Sequence, residues 1–171
     1  SGTAIRFLTA ATTLATGPVA IDGDARMRQR TIAPLVDALN GLGARVEIQG
    51  ENGCPPLTVA GGGLPGGHIE IDASQSSQYV SAVLLAAPYA AQDISIALRD
   101  GVLVSRPYID TTLQVMSDFG IEAGWDPKNP SCLQVPAGQS YQAREYEIEP
   151  DASAAVYPFC AAAIAGGSVR V

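Results

Sequence analysis

Apolar residues recur along this chain with helical spacing in some stretches and in short strand-like runs in others. The helical spacing is clearest at Ile32, Leu35, Val36 and Leu39, and Gly43 follows as a helix stop. The pattern predicts helices at about 3–15, with Thr3 as N-cap, and at 32–42, 77–90 and 107–119. It predicts strands at 18–22, 45–49, 56–60, 67–71, 94–98, 121–124, 133–135 and 145–148.

The order of these elements repeats along the chain. Glu70-Ile71-Asp72 recurs as Glu147-Ile148-Glu149, 77 positions further on, and a third copy opens at 153–165. Each copy has β-α-β-α-β-β content, which is larger than a solenoid unit and indicates one domain of a few large repeats. The helix positions that recur at the same offset of 77 are Ile32, Val36, Leu39, Leu42 and Gly43, matched by Ile109, Leu113, Met116, Phe119 and Gly120.

Both helices of each copy are apolar over much of their surface, especially at 82–87 and 161–165. Such helices must be buried, so we expect them to pack together with the sheets outside them. The predicted fold class is therefore α/β, with helices inside and sheets outside. The chain begins without methionine and stops inside an apparent strand, so we also expect further segments before and after it.

Composition limits the function classes. The 171 residues are 47% hydrophobic and 16% charged, which fits one globular domain that is neither disordered nor membrane-spanning. No stretch resembles a signal peptide or a transmembrane segment, so we expect a soluble cytoplasmic protein. The net charge of −7 argues against a nucleic-acid partner. Three scattered cysteines and one histidine, His68, predict free thiols and no metal centre.

Two polar stretches stand where a predicted strand gives way to a helix, at 72–81 and 103–110. Backbone N–H groups at helix starts are unsatisfied and favour anions, so the two stretches predict a phosphorylated or carboxylated ligand. The arginines at 6, 26, 28 and 30 are a candidate anion site as well. Each feature has a simpler reading: Ser76 and Ser77 as helix caps, the run at 26–30 as a solvated face, and Tyr108 as a half-buried aromatic.

Five segments together resemble the successive signatures of the 5-enolpyruvylshikimate-3-phosphate synthase family, and the resemblance runs in order over the whole chain. The resemblance implies two lobes of three βαβαββ repeats, each with parallel buried helices and outer four-stranded sheets. Residues 1–148 would then form most of one lobe, with the first repeat incomplete at its start, and 149–171 a hinge and the opening of the next repeat or other lobe. The segments are Ser1-Gly2-Thr3-Ala4-Ile5-Arg6, residues 22–30, Gly53-Cys54-Pro55-Pro56, residues 76–82 and Ser105-Arg106-Pro107-Tyr108-Ile109.

The resemblance also implies an activity: transfer of the enolpyruvyl group of phosphoenolpyruvate to the 5-hydroxyl of shikimate 3-phosphate, with release of phosphate and without metal or organic cofactor. The complete enzyme would be a monomer whose other lobe supplies the proton-transfer groups, and this chain would be inactive alone. Residues matched to the shikimate 3-phosphate site are Ser76, Ser77, Gln78, Ser105 and Tyr108. Residues matched to the phosphoenolpyruvate site are Gly2, Arg30 and Gln78, of which Arg30 and Gln78 would stabilise substrate and intermediate.

Two departures from the family pattern, Phe7 and Thr31, flank the expected phosphoenolpyruvate pocket and bear on the response to the inhibitor glyphosate.

Two alternative functions remain open. One is the related enolpyruvyl transferase that acts on UDP-N-acetylglucosamine, and the other is a non-catalytic binding or scaffold domain of the same fold.

Overall fold

The computed structural model describes residues 1–171 and confirms the mixed α/β class. Short 3-10 turns at Thr12–Leu14 and Ala87–Tyr89 extend the first and third helices close to their predicted ends. The helices are α1 Gly2–Ala11, α2 Ala33–Gly41, α3 Gln78–Ala86, α4 Arg106–Asp118 and α5 Val156–Ala165. The strands are β1 Val19–Ile21, β2 Val46–Ile48, β3 Leu57–Val59, β4 Gly67–Ala73, β5 Ile94–Leu103, β6 Gly124–Asp126 and β7 Asn129–Val135.

The strands form two sheets. The first has the order β1-β3-β2 with both pairings antiparallel, so it has three strands where the resemblance implies four. The second has the predicted four strands in the order β4-β5-β7-β6. Within it β4 and β5 are parallel, whereas β7 is antiparallel to both of its neighbours. The parallel pair matters for the site because it fixes where α3 and α4 begin.

Helix α3 lies at the centre of the core, as its composition predicts. All of its residues from Tyr79 to Leu84, and Ala86, are buried, and it contacts α1, α2 and α4. The inward faces of the strands cover this helix layer with buried apolar side chains such as Leu57, Ile71 and Ile96. Burial of this kind is the main stabilising contribution to folding. None of the helices is both long and apolar enough to cross a membrane.

The ends of α2 and α4 follow the predicted repeat. Both helices stop two residues before a glycine with positive φ, which is +87° at Gly43 and +84° at Gly120. Glycine has no Cβ and adopts this conformation without strain, so it ends a helix readily.

The N-cap of α1 was predicted wrongly. Ser1 precedes the helix and accepts a hydrogen bond from the Ala4 amide at 3.5 Å, so Thr3 lies inside the helix.

Three expectations about the later part of the chain were wrong. The strand predicted at 121–124 is displaced to β6, because the Ile121 amide already donates to the Met116 carbonyl and closes the end of α4. No strand forms at 145–148, where Ile148 is 84% exposed and no neighbouring strand is available for pairing. The apolar residues at 161–165 belong to α5, which buries none of its residues in this chain.

The three cysteines are free, Cys54 and Cys132 buried and Cys160 exposed.

Candidate functional site

The starts of α3 and α4 lie side by side at one edge of the second sheet. Strands β4 and β5 are parallel neighbours, and Ala73 at the end of β4 is aligned with Leu103 at the end of β5. Parallel strands place their carboxyl ends at the same edge, so the connections 74–77 and 104–105 leave the sheet together. Two polar stretches that are distant in sequence are therefore adjacent in space.

A cavity of about 540 Å³ opens between these two helix starts and α1. Its volume suits a small-molecule ligand. It is lined by all five residues expected to hold shikimate 3-phosphate: Ser76, Ser77, Gln78, Ser105 and Tyr108. The other lining residues are Thr3, Phe7, Gln75, Ser81, Leu85, Val104, Thr111, Thr112 and Val115. The lining is thus rich in hydroxyl and amide groups and contains no Asp or Glu.

The serine hydroxyls at the two helix starts differ in their contacts with the helix backbone. Ser77 and Ser105 occupy the N-cap positions of α3 and α4, but neither side chain accepts a hydrogen bond from the helix. Ser76 does accept one from the Gln78 amide, at 3.3 Å. Tyr108 is 64% exposed, so it is not the half-buried aromatic of the simpler reading. The helix-cap reading therefore holds for Ser76 and fails for Ser77. Ser105 makes no side-chain cap either, and all three serines line the cavity.

Arg6 lies beneath the cavity and holds its polar lining in place. From α1 its guanidinium donates to Ser76 Oγ at 3.1 Å, to Gln78 Oε1 at 2.7 Å and to Tyr79 Oη at 3.3 Å. The same guanidinium lies 4.6 Å from the centroid of the Tyr79 ring. Gln78 also donates from Nε2 to Thr3 Oγ1 at 3.0 Å, which joins the start of α3 to the start of α1.

The charge of Arg6 has no acidic partner. The residue is only 9% exposed, and the three salt bridges of the chain all involve other arginines. A buried charge is costly unless an opposite charge balances it, so an anion in the adjacent cavity is a natural counterion. Burial raises the pKa of Tyr79, although Arg6 opposes that shift, so this hydroxyl stays protonated and donates to the Thr31 carbonyl at 3.0 Å.

Arg30 and Gly2 meet beside the cavity. A Cβ built on Gly2 would lie 2.5 Å from Arg30 Nη1, so only glycine lets the guanidinium approach the start of α1 this closely. The Arg30 guanidinium therefore lies at the start of α1. A cation at the positive end of a helix dipole is unfavourable unless an anion is bound there. Neither residue lines the cavity itself, but Thr3, next to Gly2, does.

The remaining arginines of the early cluster lie elsewhere. Arg26 is exposed, and Arg28 pairs with Asp22 at 2.5 Å on an exposed surface. The hydrogen bond from Arg28 lowers the pKa of Asp22 to about 2. The solvated-face reading therefore holds for Arg26 and Arg28. Arg30 is exposed as well, although its guanidinium lies against Gly2. The sequence pattern placed Arg6 in the early arginine cluster but did not predict its contacts with Ser76 and Gln78, because its three acceptors are 70, 72 and 73 positions away.

The connection that leads into Ser76 is shaped by a local turn. Asp72 Oδ1 accepts hydrogen bonds from the Ser74 amide at 2.9 Å and from the Ser74 hydroxyl at 2.6 Å. These bonds, with the hydroxyl contributing most, lower the pKa of Asp72. Side chains of Asp that bond to the backbone two residues on form a recurrent turn. The turn directs the chain from β4 towards the cavity.

The two departures from the family pattern have different surroundings. Phe7 lines the cavity on the α1 side, so its size limits what can bind there. Thr31 does not line it. Its hydroxyl accepts a hydrogen bond from the Ala33 amide at 3.3 Å and so supports the first turn of α2.

Fold and cavity together define a class: an inside-out α/β domain with a small-molecule site suited to an anionic, hydroxyl-bearing ligand. Comparison with known proteins agrees with that class. Residues 1–171 match the family described as EPSP synthase (3-phosphoshikimate 1-carboxyvinyltransferase). The chain belongs to the EPSP synthase family.

Two similar relatives carry the same description, and a third is a multifunctional polypeptide. A 3-phosphoshikimate 1-carboxyvinyltransferase of Trichormus variabilis is 45% identical over 171 residues, covering 100% of this chain and 39% of the relative. A second, from Marinomonas sp., is 45% identical over 172 residues and is covered to 40%. The pentafunctional AROM polypeptide of Malassezia globosa is 44% identical over 185 residues, which is 11% of its length. The chain therefore spans about 40% of the length of its single-enzyme relatives.

Solved structures give the same fold. The structure of EPSP synthase from Acinetobacter baumannii superposes with a TM-score of 0.69 at 23% sequence identity. The superposition covers 83% of this chain and 30% of that one. At this identity the comparison demonstrates the shared fold, which is the enolpyruvyl transferase fold that the repeat pattern and the family resemblance predict.

Proposed function

We propose that this chain carries the shikimate 3-phosphate site and part of the phosphoenolpyruvate site of an enzyme that transfers the enolpyruvyl group to the 5-hydroxyl of shikimate 3-phosphate. The observation that carries the proposal is the cavity itself. Hydroxyl and amide groups line it, no carboxylate does, and two arginines without acidic partners lie beneath and beside it. That environment suits an anion with several hydroxyl groups.

The five cavity residues matched to shikimate 3-phosphate would each bind a different part of that ligand. Ser76, Ser77 and Gln78 would bind shikimate 3-phosphate from the start of α3, Ser105 would bind its phosphate, and Tyr108 would bind its ring hydroxyls. Arg6 already orients Ser76 and Gln78, which supports this assignment. The conformational entropy of these two side chains is therefore already lost before the ligand binds.

Phosphoenolpyruvate would bind at the boundary marked by Gly2, Arg30 and Gln78. Arg30 offers a permanently charged planar fork that matches a carboxylate or phosphate. The dipole at the start of α1 adds to that attraction. Two anions must be brought together for the transfer, so fixed positive groups that cancel their repulsion also stabilise the charge that develops in the intermediate.

The remaining steps would come from the rest of the enzyme. No acid or base lines the cavity, so a group outside this chain would supply the proton transfers, and the chain alone would be inactive. We further propose that 1–148 belong to one lobe and that 149–171 form the hinge and the opening of the next repeat. The unburied apolar surface of α5 supports this division. The complete enzyme would be a cytoplasmic monomer and a glyphosate target whose sensitivity depends on Phe7.

Calorimetric titration of the 171-residue chain tests the proposal. We expect shikimate 3-phosphate to bind and UDP-N-acetylglucosamine not to bind. The double variant Ser77→Ala with Gln78→Ala should weaken binding by about 2–4 kcal/mol and change the free energy of unfolding by less than about 1 kcal/mol. Ser117→Ala, an exposed serine far along α4, is the matched control.

Three results would contradict the proposal in different ways. Binding of the UDP-sugar alone would indicate the related transferase. Binding of neither ligand would indicate a scaffold domain. An equal loss of stability and of binding in the double variant would return Ser77 and Gln78 to a structural role.

A further inference from the structure

Trp125 connects the second sheet to the start of α4. It lies on β6, and its indole Nε1 donates to Asp110 Oδ1 at 2.9 Å. The Arg106 guanidinium lies 4.1 Å from the centroid of the Trp125 ring, and Arg106 Nε is 3.8 Å from Asp110 Oδ2. These three side chains form a closed triangle, which we call the α4 brace. Arg106 and Asp110 are four residues apart and share one face of the helix.

The start of α4 has few other supports. Ser105, its N-cap, adopts φ +61° and ψ +54° and caps no backbone N–H with its side chain. A serine in this left-handed region carries local strain, which persists only when the surroundings hold it. Of the residues from Arg106 to Asp110 only Ile109 is buried. A helix start without a cap frays readily unless side chains hold it.

The brace and the ligand-facing residues occupy different sides of the same helical turn. None of Trp125, Arg106 and Asp110 lines the cavity, whereas Ser105 and Tyr108 do. Successive residues of a helix are about 100° apart, so Tyr108 projects away from the side that carries Arg106 and Asp110. Movement of this turn against β6 would displace Ser105 and Tyr108 together.

We propose that Trp125, acting through Asp110 and Arg106, is a positioning residue that fixes the α4 start so that Ser105 and Tyr108 meet the phosphate and hydroxyl groups of the bound ligand. This inference rests on the proposed function, because it takes shikimate 3-phosphate as the ligand. It goes beyond that function by assigning a role to three residues outside the cavity.

The composition of the chain provides a direct probe, since Trp125 is its single tryptophan. Fluorescence of the 171-residue chain, excited at a wavelength where its six tyrosines do not absorb, therefore reports on Trp125. We expect shikimate 3-phosphate to change the Trp125 emission, with the same concentration dependence as the calorimetric heat. In Asp110→Asn, which keeps one acceptor oxygen but loses the charge, that emission change should shrink. A role in stability alone would not produce a ligand-dependent emission change.

Affinity gives the second measurement. Asp110→Asn and Trp125→Phe, which keeps an aromatic face over Arg106 but loses the N–H donor, should each weaken shikimate 3-phosphate binding about tenfold, the effect of one lost hydrogen bond. The control is Asp37→Asn, the same change at an exposed position of α2, and it should leave affinity unaltered. If Trp125→Phe fails to fold, Asp110→Asn, at an exposed position, still tests the positioning role.

The outcomes are distinguishable from those that test the proposed function. If the wild-type chain binds the ligand but Asp110→Asn and Trp125→Phe bind it as tightly as Asp37→Asn, the positioning role is refuted and the proposed function stands. Ligand binding without any change in Trp125 emission would refute it equally. If the wild-type chain does not bind shikimate 3-phosphate at all, both the proposed function and this inference fall.

Discussion

Replacing Arg6 by methionine should separate a binding role from a structural one. The change keeps an unbranched apolar stem and removes the guanidinium that donates to Ser76 Oγ and Gln78 Oε1. Hydrogen bonds to charged groups contribute about 1.5–3 kcal/mol each. Both acceptors are partly exposed at an open cavity, so water would replace part of what is lost. We therefore expect shikimate 3-phosphate affinity to fall by about 2–3 kcal/mol, which is roughly 30- to 150-fold in Kd.

Stability should respond differently. Arg6 is a buried charge without an acidic partner, and replacing such a group by an apolar side chain is often neutral or stabilising. Two of the groups it leaves behind keep other partners, since Tyr79 still donates to the Thr31 carbonyl and Ser76 still accepts from the Gln78 amide. Gln78 Oε1 loses its donor, but Gln78 is partly exposed, so water can replace it. We expect the free energy of unfolding to change by less than about 1 kcal/mol.

Chemical denaturation and calorimetry of the same preparations would measure both quantities. Arg45→Met, at an exposed arginine outside the site, is the matched control and should change neither. The reasoning is refuted if Arg6→Met costs several kcal/mol of stability while affinity is preserved. Arg6 would then be a core residue whose charge is accommodated without a ligand.

Three further predictions follow from the same contacts. In the complete enzyme, Arg30→Lys keeps the charge but loses the planar fork of the guanidinium. The KM for phosphoenolpyruvate should therefore rise by about tenfold or more, whereas the KM for shikimate 3-phosphate should not change. Arg45→Lys is the control, and unchanged phosphoenolpyruvate kinetics would assign Arg30 to the solvated face. The 171-residue chain should release no measurable phosphate from the two substrates, and robust turnover in a phosphate assay would exclude an external proton-transfer group. Burial raises the pKa of Tyr141 from 10.0 to about 12, so its contribution to stability is present below pH 10 and is lost as pH rises towards 12. Denaturation curves of Tyr141→Phe should decline less steeply over that range, and an unchanged decline would assign it to other groups.

The sequence by itself determined most of the local structure and five of the residues that line the cavity. Helix spacing and the helix-stop glycines are read from residues a few positions apart, so α2 and α4, with Gly43 and Gly120 after them, were predictable. The motifs at 76–78 and 105–108 pointed to the cavity lining for the same reason, since each motif is contiguous in the chain.

Only the tertiary structure decided how distant residues combine. Parallel pairing of β4 with β5 brings the two helix starts together, and no local pattern specifies that pairing. Contacts across some seventy residues place Arg6 beneath Ser76 and Gln78. Position in the fold also explains where the strand prediction was wrong. Residues 145–148 alternate as a strand does, but no strand lies beside them. Hydrogen-bond partners and burial are properties of the folded chain, whereas periodicity is a property of neighbouring residues.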